Sequence, residues 1–120
     1  MKNLINKIIN NLSDDLLKSK YRHIENKNKF TGHCYVATEA LYYLMSEEDR
    51  IIFKPAILKV NNDTHWFLKN KLTGEIIDIT KNQFEFELDY VKSKNKFFLT
   101  NKPSKRAQIL INRINEKASL

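Results

Sequence analysis

Residues 32–46 read Gly32-His33-Cys34-Tyr35-Val36-Ala37-Thr38-Glu39-Ala40-Leu41-Tyr42-Tyr43-Leu44-Met45-Ser46, and the chain is organised around them. Val36, Ala37, Ala40, Leu41 and Leu44 recur at three- and four-residue steps, which predicts a helix over about 33–46. Its alanines and threonine let neighbours approach closely, so it reads as the buried central helix. Gly32 supplies the backbone freedom for a sharp turn into it. Cys34, the only cysteine, then lies in the first turn, where backbone amides have no partner within the helix. Those amides carry partial positive charge, which favours a thiolate, the reactive form of a thiol.

Two later stretches answer this one: His65-Trp66-Phe67-Leu68 and Glu75-Ile76-Ile77-Asp78-Ile79-Thr80. Residues 64–70 and 75–80 read as two strands around a Lys71-Leu72-Thr73-Gly74 turn. With the turn centred between Lys71 and Leu72, His65 faces Asp78 directly on one side of the sheet. A slip of one residue would put them on opposite sides. Trp66, Leu68, Ile77 and Ile79 would share the other side, giving a polar catalytic face backed by an apolar one. Asp78 is placed to accept the imidazole proton and hold the ring, and His65 to pair with the thiolate. An oxyanion needs donors as well. The Cys34 N–H is the first candidate, with the side chain of Asn28 or His33 as a second; Tyr35 and Trp66 flank the site as pocket residues.

The rest of the chain is scaffold. Leu4, Ile5, Ile8, Ile9, Leu12, Leu16 and Leu17 have helical spacing, and Ser13-Asp14-Asp15 marks a second start within that segment. Residues 22–31, His23 among them, read as a polar loop. Ile51 to Phe53 and Ala56 to Val60 read as a strand, with Pro55 marking an edge or a bend. Asn61-Asn62-Asp63 is a turn, and Thr80-Lys81-Asn82-Gln83 matches a capping box. Phe84, Phe86 and Leu88 alternate with acids as in a strand, Lys92 to Lys96 form a basic turn, and Phe97-Phe98-Leu99 suggests another strand. Pro103-Ser104 opens a last helix with Ile109, Leu110, Ile111 and Ile114 on its apolar side.

Composition narrows the function classes. A length of 120 residues fits one domain, 1–120. No apolar run reaches the ~18 residues that cross a bilayer, and the spaced apolar residues of the N-terminus do not form a signal peptide. A lone cysteine gives no internal disulfide, which points to the cytoplasm. The net charge of +7 is uneven: +4 over 1–30, −4 over 31–91 and +7 over 92–120. Charge of this kind is an unspecific footprint, so nucleic acid is the minor reading. With two glycines in all, nucleotide binding by a P-loop or Rossmann motif is excluded. No Cys/His spacing suits a metal, so neither metal nor cofactor is expected. Blander readings stand beside the triad: Cys34 as a small buried hydrophobe, His65 as a core histidine, Asp78 as the cap of the turn before Thr80.

The order Gly-x-Cys on a helix, then His-Trp, then Asp-x-Thr resembles the papain-like and transglutaminase-like superfamily. More closely, the chain is similar to the YunG-like family of small bacterial and phage proteins. The matching parts are Gly32-His33-Cys34, His65-Trp66, Ile77-Asp78-Ile79-Thr80 running into Gln83-Phe84, and Phe98-Leu99-x-Asn101 leading to Arg106. That family often has Gln just before the cysteine, where His33 stands here. The resemblance implies an α+β papain-like fold, with Cys34 as nucleophile, His65 as base and Asp78 as orienting acid. It implies a cysteine hydrolase or acyl transferase acting through a thioester on an amide or ester: a peptide, an isopeptide, a glutamine side chain or a small amide. The alternatives are a non-catalytic binding protein, such as a phage-encoded inhibitor of a host protein, and a nucleic-acid-associated protein using the basic region from Lys92 to Arg106.

Overall fold

Two runs of residues decide the architecture: the helix that Gly32 introduces, and a β-hairpin that turns on two asparagines. A computed structural model describes residues 1–22, 30 and 32–118 of the chain. Helix α1 (Lys2–Asn10) is followed by a 3₁₀ turn at Asp14–Leu16 and the short α2 (Ser19–Arg22). Helix α3 (Cys34–Leu44) and the short α4 (Glu47–Ile52) lead into strand β1 (Phe53–Val60). Strands β2 (Asp63–Asn70), β3 (Ile76–Ile77) and β4 (Lys94–Asn95) follow, and α5 (Lys105–Ala118) closes the chain. The class is α+β: all strand pairs are antiparallel, and the sheet order is β3-β2-β1-β4.

The β1–β2 hairpin is tight. Val60 faces Asp63, leaving Asn61 and Asn62 as a two-residue loop. Both have positive φ, at 51° and 70°. A loop of that kind needs residues that tolerate the left-handed region, and asparagine does so better than most. The β2–β3 turn is longer. The Asn70 side chain accepts from the N–H groups of Leu72 and Thr73 at 2.8 and 3.1 Å, and the Asn70 N–H donates to the Glu75 carbonyl at 2.8 Å. The turn is thereby centred one residue later than expected. Leu68 faces Ile77 and Lys69 faces Ile76, a register two residues from the one read off the sequence. Because side chains alternate with a period of two, that shift moves no residue to the other face.

One face of the sheet carries α3, with α1 and α5 behind it. Trp66, Leu68 and Ile79 pack there against Val36, Ala37, Ala40, Leu41, Leu110 and Ile114. The other face, which carries His65, was expected to be polar and is instead a second small core. Ala56, Leu58, Val60 and Phe67 are covered by Phe84, Leu88 and Tyr90. Residues 84–88 therefore lie across the sheet instead of pairing as a strand, and Phe86 is left exposed. The expected strand at 97–99 is also absent; the edge strand is Lys94–Asn95, from within the expected basic turn. A short, lysine-bearing edge discourages pairing with other chains.

Three further expectations need correction. Ile51 and Ile52 end helix α4, because Ser46 caps it by accepting from the Asp49 N–H at 3.1 Å and three acids fill its first turn. Pro55 sits in an inner strand. Its missing N–H falls on the β4 side, where pairing stops and the Lys96 N–H donates to the Pro55 carbonyl at 3.1 Å. In α5 the buried residues are Ala107, Leu110, Ile111 and Ile114, while Ile109 faces outward. Among the described residues, no helix is long and apolar enough to cross a membrane.

Candidate active site

Gly32 has φ of +79°, a conformation that side-chain-bearing residues rarely adopt. A Cβ there would stand 2.7 Å from Cγ of Tyr21 and 3.0 Å from Cδ2 of Leu17. The turn at Gly32 is thus required both by torsion and by space. It delivers His33 as the residue before the helix and Cys34 as its first residue. As a first-turn amide, the Cys34 N–H has no acceptor within the helix.

Strand β3 pairs with β2 only at Leu68 and Lys69, so β2 presents bare carbonyls towards its start. Helix α3 fastens onto them. Thr38 donates from Oγ1 to the Trp66 carbonyl at 3.2 Å, and Sγ of Cys34 lies 3.9 Å from the Thr64 carbonyl. A helix step of four residues (~6 Å) matches a strand step of two (~6.8 Å). The spacing Cys34–Thr38 thereby fits the spacing Thr64–Trp66, and the thiol is held at the open edge of the strand that bears His65.

Nε2 of His65 lies 2.7 Å from Oδ2 of Asp78, and the two side chains are 2% and 1% exposed. The same Oδ2 accepts from the Tyr90 hydroxyl at 2.7 Å. Burial pulls the His65 imidazole towards its neutral form. The hydrogen bond and charge of Asp78, with the Cys34 sulfur beside the ring, outweigh it and raise the pKa to about 9. Nδ1, the nitrogen that Asp78 does not use, is buried and has no hydrogen-bond partner among the described residues. It is the nitrogen left to serve the thiol. Tyr90 is held protonated, by burial first and then by the adjacent carboxylate.

The structure thus brings Cys34, His65 and Asp78 together, although His65 and Asp78 are diagonal neighbours and not a facing pair. Tyr35 and Trp66 meet edge to face with centroids 4.8 Å apart, and both line a cavity of about 600 Å³ that opens on Cys34. The Tyr35 hydroxyl accepts from the Leu99 N–H at 2.9 Å, and Trp66 stacks on Phe98. His33 is placed differently from its expected part as an oxyanion donor. Its buried ring is committed through Nε2 to the Ser13 carbonyl at 2.9 Å, and it does not line the cavity. Asn28, the other expected donor, lies outside the described residues, as does His23. Thr80 precedes a 3₁₀ turn at Lys81–Gln83, but its side chain makes no capping bond. Tyr90 was missed by sequence reasoning. Among the described residues, no group of three or more His, Cys, Asp or Glu side chains is arranged to hold a metal ion. Comparisons with protein-family models, with curated proteins and with solved structures give no match.

Proposed function

We propose that the protein is a cysteine-dependent acyl-transfer enzyme, of the papain-like or transglutaminase-like kind that the order of its motifs resembles. More particularly, it is a hydrolase or transferase of an amide or ester, working in the cytoplasm, where its thiol stays reduced. The observation that carries this reading is the buried His65 between Cys34 and Asp78, with its pKa raised to about 9. An imidazole charged at neutral pH beside a thiol supports a thiolate–imidazolium pair.

In the reaction, Sγ of Cys34 attacks the substrate carbonyl carbon, and the carbonyl electrons move to oxygen. The Cys34 N–H faces that developing charge. The carbonyl re-forms as the bond to the leaving amine or alcohol breaks, and His65 delivers its proton to the leaving group. The product of this half is a thioester on Cys34. Neutral His65 then takes a proton from water or from an acceptor amine, which attacks the thioester and restores the thiol. Asp78, fixed by Tyr90, keeps the ring oriented through both halves.

The test is the rate of Cys34 alkylation by iodoacetamide from pH 5 to 9, in wild type, His65→Ala and Asp78→Asn. The expected result is a thiol that reacts well below pH 8 in wild type and slows there by about tenfold or more in His65→Ala. Identical profiles in all three proteins, or a thiol that the reagent cannot reach, would move the reading to a binding protein on the same scaffold.

A further inference from the structure

The cavity on Cys34 is not electrically neutral. Among the described residues, Lys18, Lys105 and Arg106 line it, against the single carboxylate of Asp63. Lys18 comes from the N-terminal segment, and Lys105 and Arg106 come from the first turn of α5. Its volume, about 600 Å³, is that of a small-molecule site.

Arg106 stands apart from the other arginines. Arg22 donates to the carbonyls of Leu17 and Asp15, Arg50 to those of Tyr43 and Met45, and Arg113 to Asp15, Ser13 and the Asn11 carbonyl. Each of these three ties one segment to another. Arg106 is half-buried at the cavity wall and donates to no group among the described residues. Its planar fork, held partly out of water, is shaped for a carboxylate or a phosphate. Its place is fixed from α3. Glu39, on the same helix as Cys34, accepts from the Ser104 N–H at 2.9 Å and from the Ser104 hydroxyl at 2.6 Å. That clamp sets the start of α5, and so Arg106, relative to the thiol.

We infer that the cavity takes an anionic acyl substrate, whose carboxylate or phosphate is held by Arg106 and Lys105 while its amide or ester carbonyl rests at Cys34. This deepens the reading of Cys34 as a nucleophile and rests on it. A small amide with a free carboxylate, or the last residue of a peptide chain, has the required form. Lys105 and Arg106 supply the charge, Tyr35 and Trp66 an aromatic wall for the body, and Cys34 the thiol, all lining the same cavity.

Two reagents of similar size, one anionic and one neutral, test this. The alkylation rates of Cys34 by iodoacetate and by iodoacetamide are measured in wild type, Arg106→Gln and Lys105→Gln. The ratio of iodoacetate to iodoacetamide rates is expected to fall about fivefold in Arg106→Gln, the scale of one partly exposed charge pair. A ratio unmoved by both substitutions overturns the anion site while leaving the nucleophile intact. Protection of Cys34 from iodoacetamide by succinate but not by inorganic phosphate assigns a carboxylate, and the reverse assigns a phosphate; protection by neither overturns the inference. A thiol inert to both reagents sinks the catalytic reading. The anion site is then judged by titrating succinate and phosphate against the Arg106 Nε–H resonance: a saturable shift sustains it, and a flat response removes it.

Discussion

At His65, two opposing effects meet on one ring. Burial works against charge, while Asp78 and the neighbouring sulfur work for it, and the second group wins, with a pKa of about 9 against an ordinary 6.5. An NMR titration of the His65 ring should therefore show a midpoint near 9, falling in Asp78→Asn. The sign for stability follows. A folded-state pKa above the unfolded value means the pair contributes fully below about pH 6.5, and its contribution is lost as pH rises through about 9. The urea midpoint of wild type should drop between pH 7 and 9.5 more than that of Asp78→Asn, and equal drops would show that Asp78 does not hold the charge. Tyr90 acts on the same carboxylate. Tyr90→Phe removes one of the two hydrogen bonds to Oδ2 and should cost about 1–2 kcal/mol in urea unfolding. It should also move the His65 midpoint, which a merely structural role would leave alone. The residue types that meet at the candidate site were legible because a cysteine, a histidine and an aspartate in that order are distinctive, and the chain holds one cysteine and three histidines. Tyr90 was not legible, because no spacing ties it to Asp78; only the crossing of residues 84–90 over the sheet brings it there. Nor could adjacency show that the His33 ring belongs to Ser13.

Among elements, the decisive meeting is α3 against the open edge of β2. Thr38 donates from Oγ1 to the carbonyls of both Cys34 and Trp66, at 2.6 and 3.2 Å. Thr38→Val keeps the shape but leaves the Trp66 carbonyl without that donor inside the core. The expected cost is about 1–3 kcal/mol by urea or thermal unfolding; a loss near zero would mean that packing alone docks the helix. Gly32→Ala strikes the same junction from the other side, through φ and through the clash with Tyr21, and should cost about 1–3 kcal/mol. The periodicity of α3 was legible because its apolar residues repeat without interruption. The faces of the hairpin were legible too, since an error of two residues in register conserves them, whereas an error of one would have separated His65 from Asp78. What the sequence hid was set by local competition. The β-branched Ile51 and Ile52 favour a strand by themselves, but the Ser46 cap and the acidic first turn of α4 carry the helix through them. Likewise, alternation in 84–88 signals a strand only when an edge is there to receive it.

Across the whole molecule, the uneven charge of the sequence acquires a place. The two basic ends of the chain, separated by an acidic middle, converge on one cavity: Lys18 from the first end, Lys105 and Arg106 from the last. The imbalance was visible in the sequence, but their meeting at the thiol was not, because it depends on α5 docking against α3. That docking has a polar pin. Glu39 is fully buried, and burial raises its pKa, a shift that its bonds from Ser104 partly hold back. A buried carboxylate is retained only where its partners are in place, so Glu39 reports whether the start of α5 is set by this contact or by the apolar packing of Leu110 and Ile114. Glu39→Ala removes the acceptor for the Ser104 N–H and hydroxyl, and should cost about 1–3 kcal/mol in urea unfolding. Hydrogen exchange should quicken at the first turn of α5 before it does at Leu110. The arginine keeps its charge in this variant but loses its fixed position. The preference of Cys34 for iodoacetate over iodoacetamide should therefore fall towards that of Arg106→Gln, while Glu39→Gln, which retains an acceptor oxygen, should recover part of it. If Glu39→Ala frays the helix and the preference persists, position does not matter and the anion is drawn by the general field of the basic ends. If the preference falls and Glu39→Gln restores it, the same helix that presents the nucleophile also sets the distance at which the substrate's charge is held.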